Sequence, residues 1–186
     1  MTNPKIYIYS ILTCLNIFLI LSTLSLTINS VNAQHHGAPP PIATIGDRNI
    51  KMNFVTEPTT IVAGQNAQLK MSLVDAKSGE KIQHVTYRIT IIKDNQTKVS
   101  EFLHSHRGDL TIASKNTNSS TVNVVGTFDD LSNAIIPDPS GTIEITGPLF
   151  SEAGLYKANI EITTIDNDKT DLSIPLKYQF DINVKK

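Results

Sequence analysis

The sequence predicts an all-β protein, an antiparallel β-sandwich of seven to nine strands preceded by an N-terminal signal or anchor helix. Three observations predict it. Apolar residues recur with period two from Asn49 onward, turn-forming residues punctuate those runs, and residues 1–33 differ in character from all that follow.

The N-terminal segment opens with Lys5 as its one charge, and Ile6 to Ile28 is then dominated by Ile, Leu, Phe and Tyr. Val31-Asn32-Ala33 puts small residues where a signal peptidase reads, which suits cleavage after Ala33. The apolar stretch is also just long enough to span about 30 Å of hydrocarbon, so retention as an anchor is the other outcome. Cys14, the only cysteine, lies inside this segment. A cleaved chain therefore has no disulfide, no thiolate metal site and no cysteine nucleophile. It keeps all 17 acids but 15 of the 16 basic residues, a formal charge of −2. That balance predicts neither a nucleic-acid binder nor a polybasic membrane binder; membrane contact falls to residues 1–33 if they stay uncut.

Residues 34–41 form a Pro-rich tether, and one sandwich domain is expected over 42–186. Within it, Leu69, Met71 and Leu73 alternate with polar neighbours, as do Val85, Tyr87, Ile89 and Ile91. Ile160 and Ile162 share a face, and Leu176, Tyr178, Phe180, Ile182 and Val184 share another. One-sided alternation means one buried and one wet face, the pattern of packed antiparallel sheets. Turns are expected at Ala63–Asn66, Lys77–Glu80, Asp94–Gln96 and Asp166–Asp168. Asn116–Ser120 and Asp129–Gly141 read as longer surface loops.

Glu152-Ala153-Gly154-Leu155-Tyr156 runs directly into an alternating strand. It resembles the tyrosine corner of immunoglobulin-like sandwiches, in which a Tyr hydroxyl bonds back to nearby backbone, and it makes the fold class immunoglobulin-like. The Cys and Trp core of antibody domains is absent. The segment from Glu57-Pro58 through Gly64-Gln65 and Leu69-Lys70-Met71 to Ile82-Gln83-His84-Val85-Thr86-Tyr87 resembles secreted β-sandwich proteins of ammonia-oxidising archaea. A histidine-bearing loop, His104–Asp109, and the late Gly154-Leu155-Tyr156 complete that resemblance. It implies an exported, envelope-associated sandwich and carries no activity with it. In layout and histidine placement the chain is also similar to exported copper-handling sandwiches of the CopC and YtkA kinds, whose full ligand patterns it does not match.

The candidate chemistry lies in one hairpin. Strands Val85–Lys93 and Thr97–Leu103 are expected to pair about Asp94–Gln96. If paired residue numbers sum to 190, His84 stands opposite His106, and His104 shares their face. Three converging imidazoles suit Cu(II) or Zn(II), with Asp109 as an oxygen ligand. An odd sum puts His84 on the other face, and the cluster dissolves into ordinary loop histidines. A second candidate depends on cleavage: Gln34-His35-His36 at a free N-terminus makes a four-nitrogen site for copper, and His35 and His36 are otherwise polar residues of the tether. Arg107-Gly108-Asp109 matches an adhesion tripeptide but equally suits a tight turn. Asp166, Asp168 and Asp171 have too few ligands for a calcium loop and read as a solvated hairpin turn. Asn95 and Asn118 head glycosylation sequons.

No nucleophile elbow, phosphate loop, dinucleotide glycine pattern or helical metalloprotease motif is present. The leading expectation is a non-enzymatic exported protein acting as an interaction or structural module of the cell envelope, with an unidentified protein or envelope partner. The alternative is an extracytoplasmic copper- or zinc-binding protein using His84, His104 and His106.

Overall fold

A computed structural model describes residues 43–186. The signal or anchor segment and the tether, with His35 and His36, lie outside the described residues. Thirteen strands and no helix are found among those described. In chain order they are β1 (Ala43–Ile45), β2 (Arg48–Glu57), β3 (Ile61–Val62), β4 (Ala67–Asp75), β5 (Val85–Lys93), β6 (Gln96–Ser105) and β7 (Asp109–Lys115). There follow β8 (Asn123–Val125), β9 (Thr127–Asp129), β10 (Ala134–Ile136), β11 (Thr142–Thr146), β12 (Gly154–Thr164) and β13 (Leu176–Lys185).

Two sheets face each other across one core. The first runs β1-β2-β4-β7-β11-β8 and the second β3-β13-β12-β5-β6-β10-β9. Leu69, Met71 and Leu73 from the first sheet meet Tyr87, Ile89, Ile91, Ile160 and Ile162 from the second, all buried. Phe54 and Phe180 stack across the gap with ring centroids 4.4 Å apart. The period-two faces read from the sequence are thus the faces that pack.

Two expectations need correction. The sheets are mixed rather than antiparallel, because β3 pairs parallel with β13, β6 with β10, and β7 with β11. Alternation reports which face is buried but is silent on strand direction, which the connections set. The expected loop over Asp129–Gly141 also contains β10, which lies against β6. The thirteen strands exceed the expected seven to nine; five of them have only two or three residues, too short to show a period.

The tyrosine at the start of β12 behaves as its context predicts. Its hydroxyl, on Tyr156, donates to the Glu152 carbonyl at 3.0 Å. At the opposite end of the sheet, the buried Tyr87 hydroxyl donates to the Gly108 carbonyl at 2.8 Å and pins the β6–β7 turn. Gly108 sits at φ 73°, and a Cβ there would lie 1.6 Å from the Ile82 carbonyl oxygen.

The β5–β6 hairpin has the even register that the histidines require, reached by an unexpected route. The turn holds two residues, Asp94 and Asn95, both with positive φ (49° and 62°), as in a type I′ hairpin. Lys93 accordingly pairs with Gln96 and Ile92 with Thr97. A bulge then leaves Lys98 without an opposite number, so that Ile91 pairs with Val99, Thr86 with His104 and Val85 with Ser105. Deleting Lys98 should therefore regularise the ladder and leave every pairing beyond Ile91 intact. The expected result is a folded variant whose His84 amide still bonds the His106 carbonyl; a changed set of cross-strand nuclear Overhauser contacts at Thr86 would contradict this register.

Candidate metal centre

The site forms where three segments reach the same end of the second sheet. Residue 84 precedes β5, residues 104 and 106 lie at and beyond the end of β6, and residue 168 lies in the β12–β13 connection. His84 N–H donates to the His106 carbonyl at 3.1 Å, continuing the ladder past Val85. Opposed and diagonal residues of one face lie within reach of each other. The rings follow suit: centroids of His104 and His106 are 4.8 Å apart, and those of His84 and His106 are 5.2 Å apart.

His84 has φ 50°. A non-glycine residue in this region carries strain of about 1–2 kcal/mol, and here the strained backbone holds an imidazole in the cluster. His104 is the inner wall, fully buried, while the side chains of His84 and His106 remain 39% and 52% exposed. Beneath the cluster, Thr86 N–H donates to Thr164 Oγ1 at 3.1 Å, and Thr164 Oγ1 donates to Thr86 Oγ1 at 2.7 Å. Thr86 Oγ1 lies 2.8 Å from His104 Nδ1. The remaining Thr86 proton then points to Nδ1, which assigns the ring proton of His104 to Nε2, facing Asp168. A metal held at Nε2 would require the ring proton on Nδ1, where Thr86 Oγ1 would accept it and the Thr86 hydroxyl proton would turn to Thr164 Oγ1.

The carboxylate of the site is Asp168. Its Oδ1 is 2.6 Å from His84 Nδ1, 3.0 Å from His104 Nε2 and 3.6 Å from His106 Nδ1. His106 Nδ1 lies 3.3 Å from His104 Nε2 and 3.4 Å from His84 Nδ1. All four donor atoms fall within 4.8 Å of one another. Tetrahedral coordination with bonds of about 2.0–2.1 Å needs donor separations near ~3.3 Å, so these atoms stand within about 1 Å of a filled arrangement in each of those five pairs.

Local bonds present Asp168 to the rings. Asn167 Oδ1 accepts the Lys169 amide at 3.0 Å, and Asn167 Nδ2 donates to the Ile165 carbonyl at 2.9 Å. The Asp166 amide donates to the Gln83 carbonyl at 2.9 Å, and the Asp166 carboxylate is bonded by Arg48. This corrects the reading of Asp166–Asp168 as a tight, solvated hairpin turn: eleven residues separate β12 from β13, and one of them enters the cluster.

Asp109 is not among the converging groups. It begins β7 in the first sheet, where its Oδ2 takes Lys81 Nζ at 2.6 Å. That hydrogen bond holds its carboxyl below the usual carboxylate range, against the opposing effect of burial. Arg107 Nε lies 3.6 Å from Asp109 Oδ1, so the two charges of the adhesion-like tripeptide face each other instead of being displayed apart. The sequence carries no local signal for Asp168: it arrives through the β5–β12 pairing, which brings Thr164 beside Thr86 and so carries the next residues to the histidines.

Electrostatics favour the form that binds metal. Burial, then the neighbouring His106, lowers the pKa of His104 below its ordinary 6.5, with Asp168 opposing. Burial alone would raise the Asp168 carboxyl, but the His84 hydrogen bond and the three imidazoles together bring it below 3.8. A neutral imidazole and an ionised carboxylate are what a divalent ion requires.

Two outcomes follow. Because the unfolded chain binds protons more readily at both groups, stability of the metal-free protein is full above about pH 6.5 and declines as pH falls through the lowered His104 pKa. Denaturant melts at pH 8, 6 and 5 should show this, and His104→Gln should flatten it. His84→Gly should change metal-free stability by less than about 1 kcal/mol, since relief of backbone strain offsets a lost hydrogen bond, whereas His104→Ala should cost about 2–4 kcal/mol. Equal losses in the two variants would remove the argument for strain at His84. Compared with known proteins, the chain matches no protein-family model, no curated protein and no solved structure.

Proposed function

We propose that this chain is an extracytoplasmic metal-binding protein that holds one Zn(II) or Cu(II) ion on His84, His104, His106 and Asp168. The observation that carries the reading is the convergence of three imidazole nitrogens and one carboxylate oxygen within 4.8 Å. Three borderline nitrogen donors and one hard oxygen match zinc and copper better than calcium or magnesium, which take all-oxygen sets. The role is binding rather than catalysis, in line with the absence of a nucleophile or phosphate-binding motif in the sequence. Placement outside the cytoplasm rests on the apolar N-terminal segment with its small-residue cleavage pattern, and on the resemblance to secreted archaeal sandwich proteins.

The scaffold reading is compatible with this. We take the sandwich as immunoglobulin-like on the strength of the Tyr156–Glu152 bond at the entry to β12. In that architecture loops at the sandwich ends carry binding, and the cluster sits at such an end. Partner recognition of the kind first expected from the sequence is left to the same loops.

Titration of the purified chain with Zn(II) and with Co(II) should show one equivalent bound with Kd below about 1 μM. At one hundred times Kd the ion should add about 2.7 kcal/mol of stability, visible as a rise in Tm. His104→Gln combined with Asp168→Asn should lower affinity by about 100-fold or more. Affinity unchanged in that double variant would overturn the assignment, and repeating the titration with His35→Ala and His36→Ala separates the cluster from the N-terminal histidines.

A further inference from the structure

Beside the donor cluster lies an open cleft of about 440 Å³. Its walls include two of the four donor residues, His84 and Asp168, together with Leu131, Asn167, Lys169 and Thr170. An ion held by the cluster would thus form part of the cleft wall. The imidazole that lines it, His84, is 39% exposed, so among the described residues the ion would stay open to the cleft.

The metal would make the cleft positive. Asp166 also borders it, but its carboxylate is engaged by Arg48. Lys169 forms no ion pair with any described residue, and its backbone is fixed by Asn167. Without metal, Asp168 and Lys169 roughly cancel. With a divalent ion on three neutral imidazoles and one carboxylate, the centre carries a net positive charge, and Lys169 adds another. The volume lies in the range of small-molecule sites, well beyond what one coordinating water needs. Leu131, 47% exposed, offers an apolar surface for a short carbon chain.

We propose that this cleft binds a small organic carboxylate, one oxygen of which adds to the ion as a fifth ligand while Lys169 faces its remaining charge. The inference rests on the metal-binding reading and makes anion binding conditional on it. The protein then carries the ion as a ternary complex, open to ligand exchange from the cleft side.

The test uses the full chain loaded with Co(II), whose d–d absorption reports changes in coordination, and malonate as the probe. Malonate should shift those bands saturably while dialysis shows the ion retained, and the metal-free chain should bind none. Lys169→Glu, at an exposed loop position, should weaken malonate binding about three- to ten-fold while one equivalent of Co(II) stays bound. Bands that ignore malonate with Co(II) still bound would overturn the cleft and leave the metal site standing. So would equal malonate binding with and without metal, or an unaffected Lys169→Glu variant. Failure to take up Co(II) at all would overturn the metal-binding reading itself.

Discussion

Between the Asp94-Asn95 turn and the histidines, β6 carries one more residue than β5. A two-residue turn alone would fix an odd register, in which His84 faces Ser105 and the imidazoles divide between the two sides of the sheet. The bulge at Lys98 absorbs the difference, and from Val99 onward Leu103 faces the core while His104 faces out. Hydrophobic pattern and donor set therefore agree on one register. Tyr87, Ile91, Leu103 and Val99 enforce it by burial, and the histidine cluster inherits it.

What the register sets up, local strain and a long connection complete. His84 is held at positive φ by the ladder bond to His106 and by Asp168 on its ring. The β12–β13 connection is fastened at Asp166 to both the Gln83 backbone and Arg48, which also reaches Asp75 at 3.9 Å. The carboxylate arrives with its neighbours already ordered. Beneath it, the Thr86–Thr164 hydroxyl pair fixes the His104 ring from the buried side.

The parts legible in the sequence were those governed by periodicity and by local chemistry. Leu69–Leu73 and Val85–Ile91 announced their buried faces, and Tyr156 announced its corner. The pairing of His84 with His106 was legible only as a conditional, because neither turn length nor a bulge leaves a periodic trace; the right register came from a three-residue turn that does not exist. Asp109 and Asp168 were exchanged for the reason that sequence distance misleads. Asp109 is close to His106 along the chain but belongs to the other sheet, whereas Asp168 is remote in sequence and arrives because β12 lies beside β5. Parallel pairs such as β7–β11 were invisible for the same reason: non-local connection decides direction.

The cluster occupies the outer face of its sheet, apart from the core that Tyr87, Ile160 and Leu73 build between the layers. Its four groups already hold one another through hydrogen bonds, so the proposed ion would exchange those bonds for coordinate ones with little further ordering. Preorganisation of this kind spares the conformational entropy that a disordered loop would lose on closing. If the chain is exported and binds an ion as proposed, the metal-free molecule keeps its core and can be filled outside the cell.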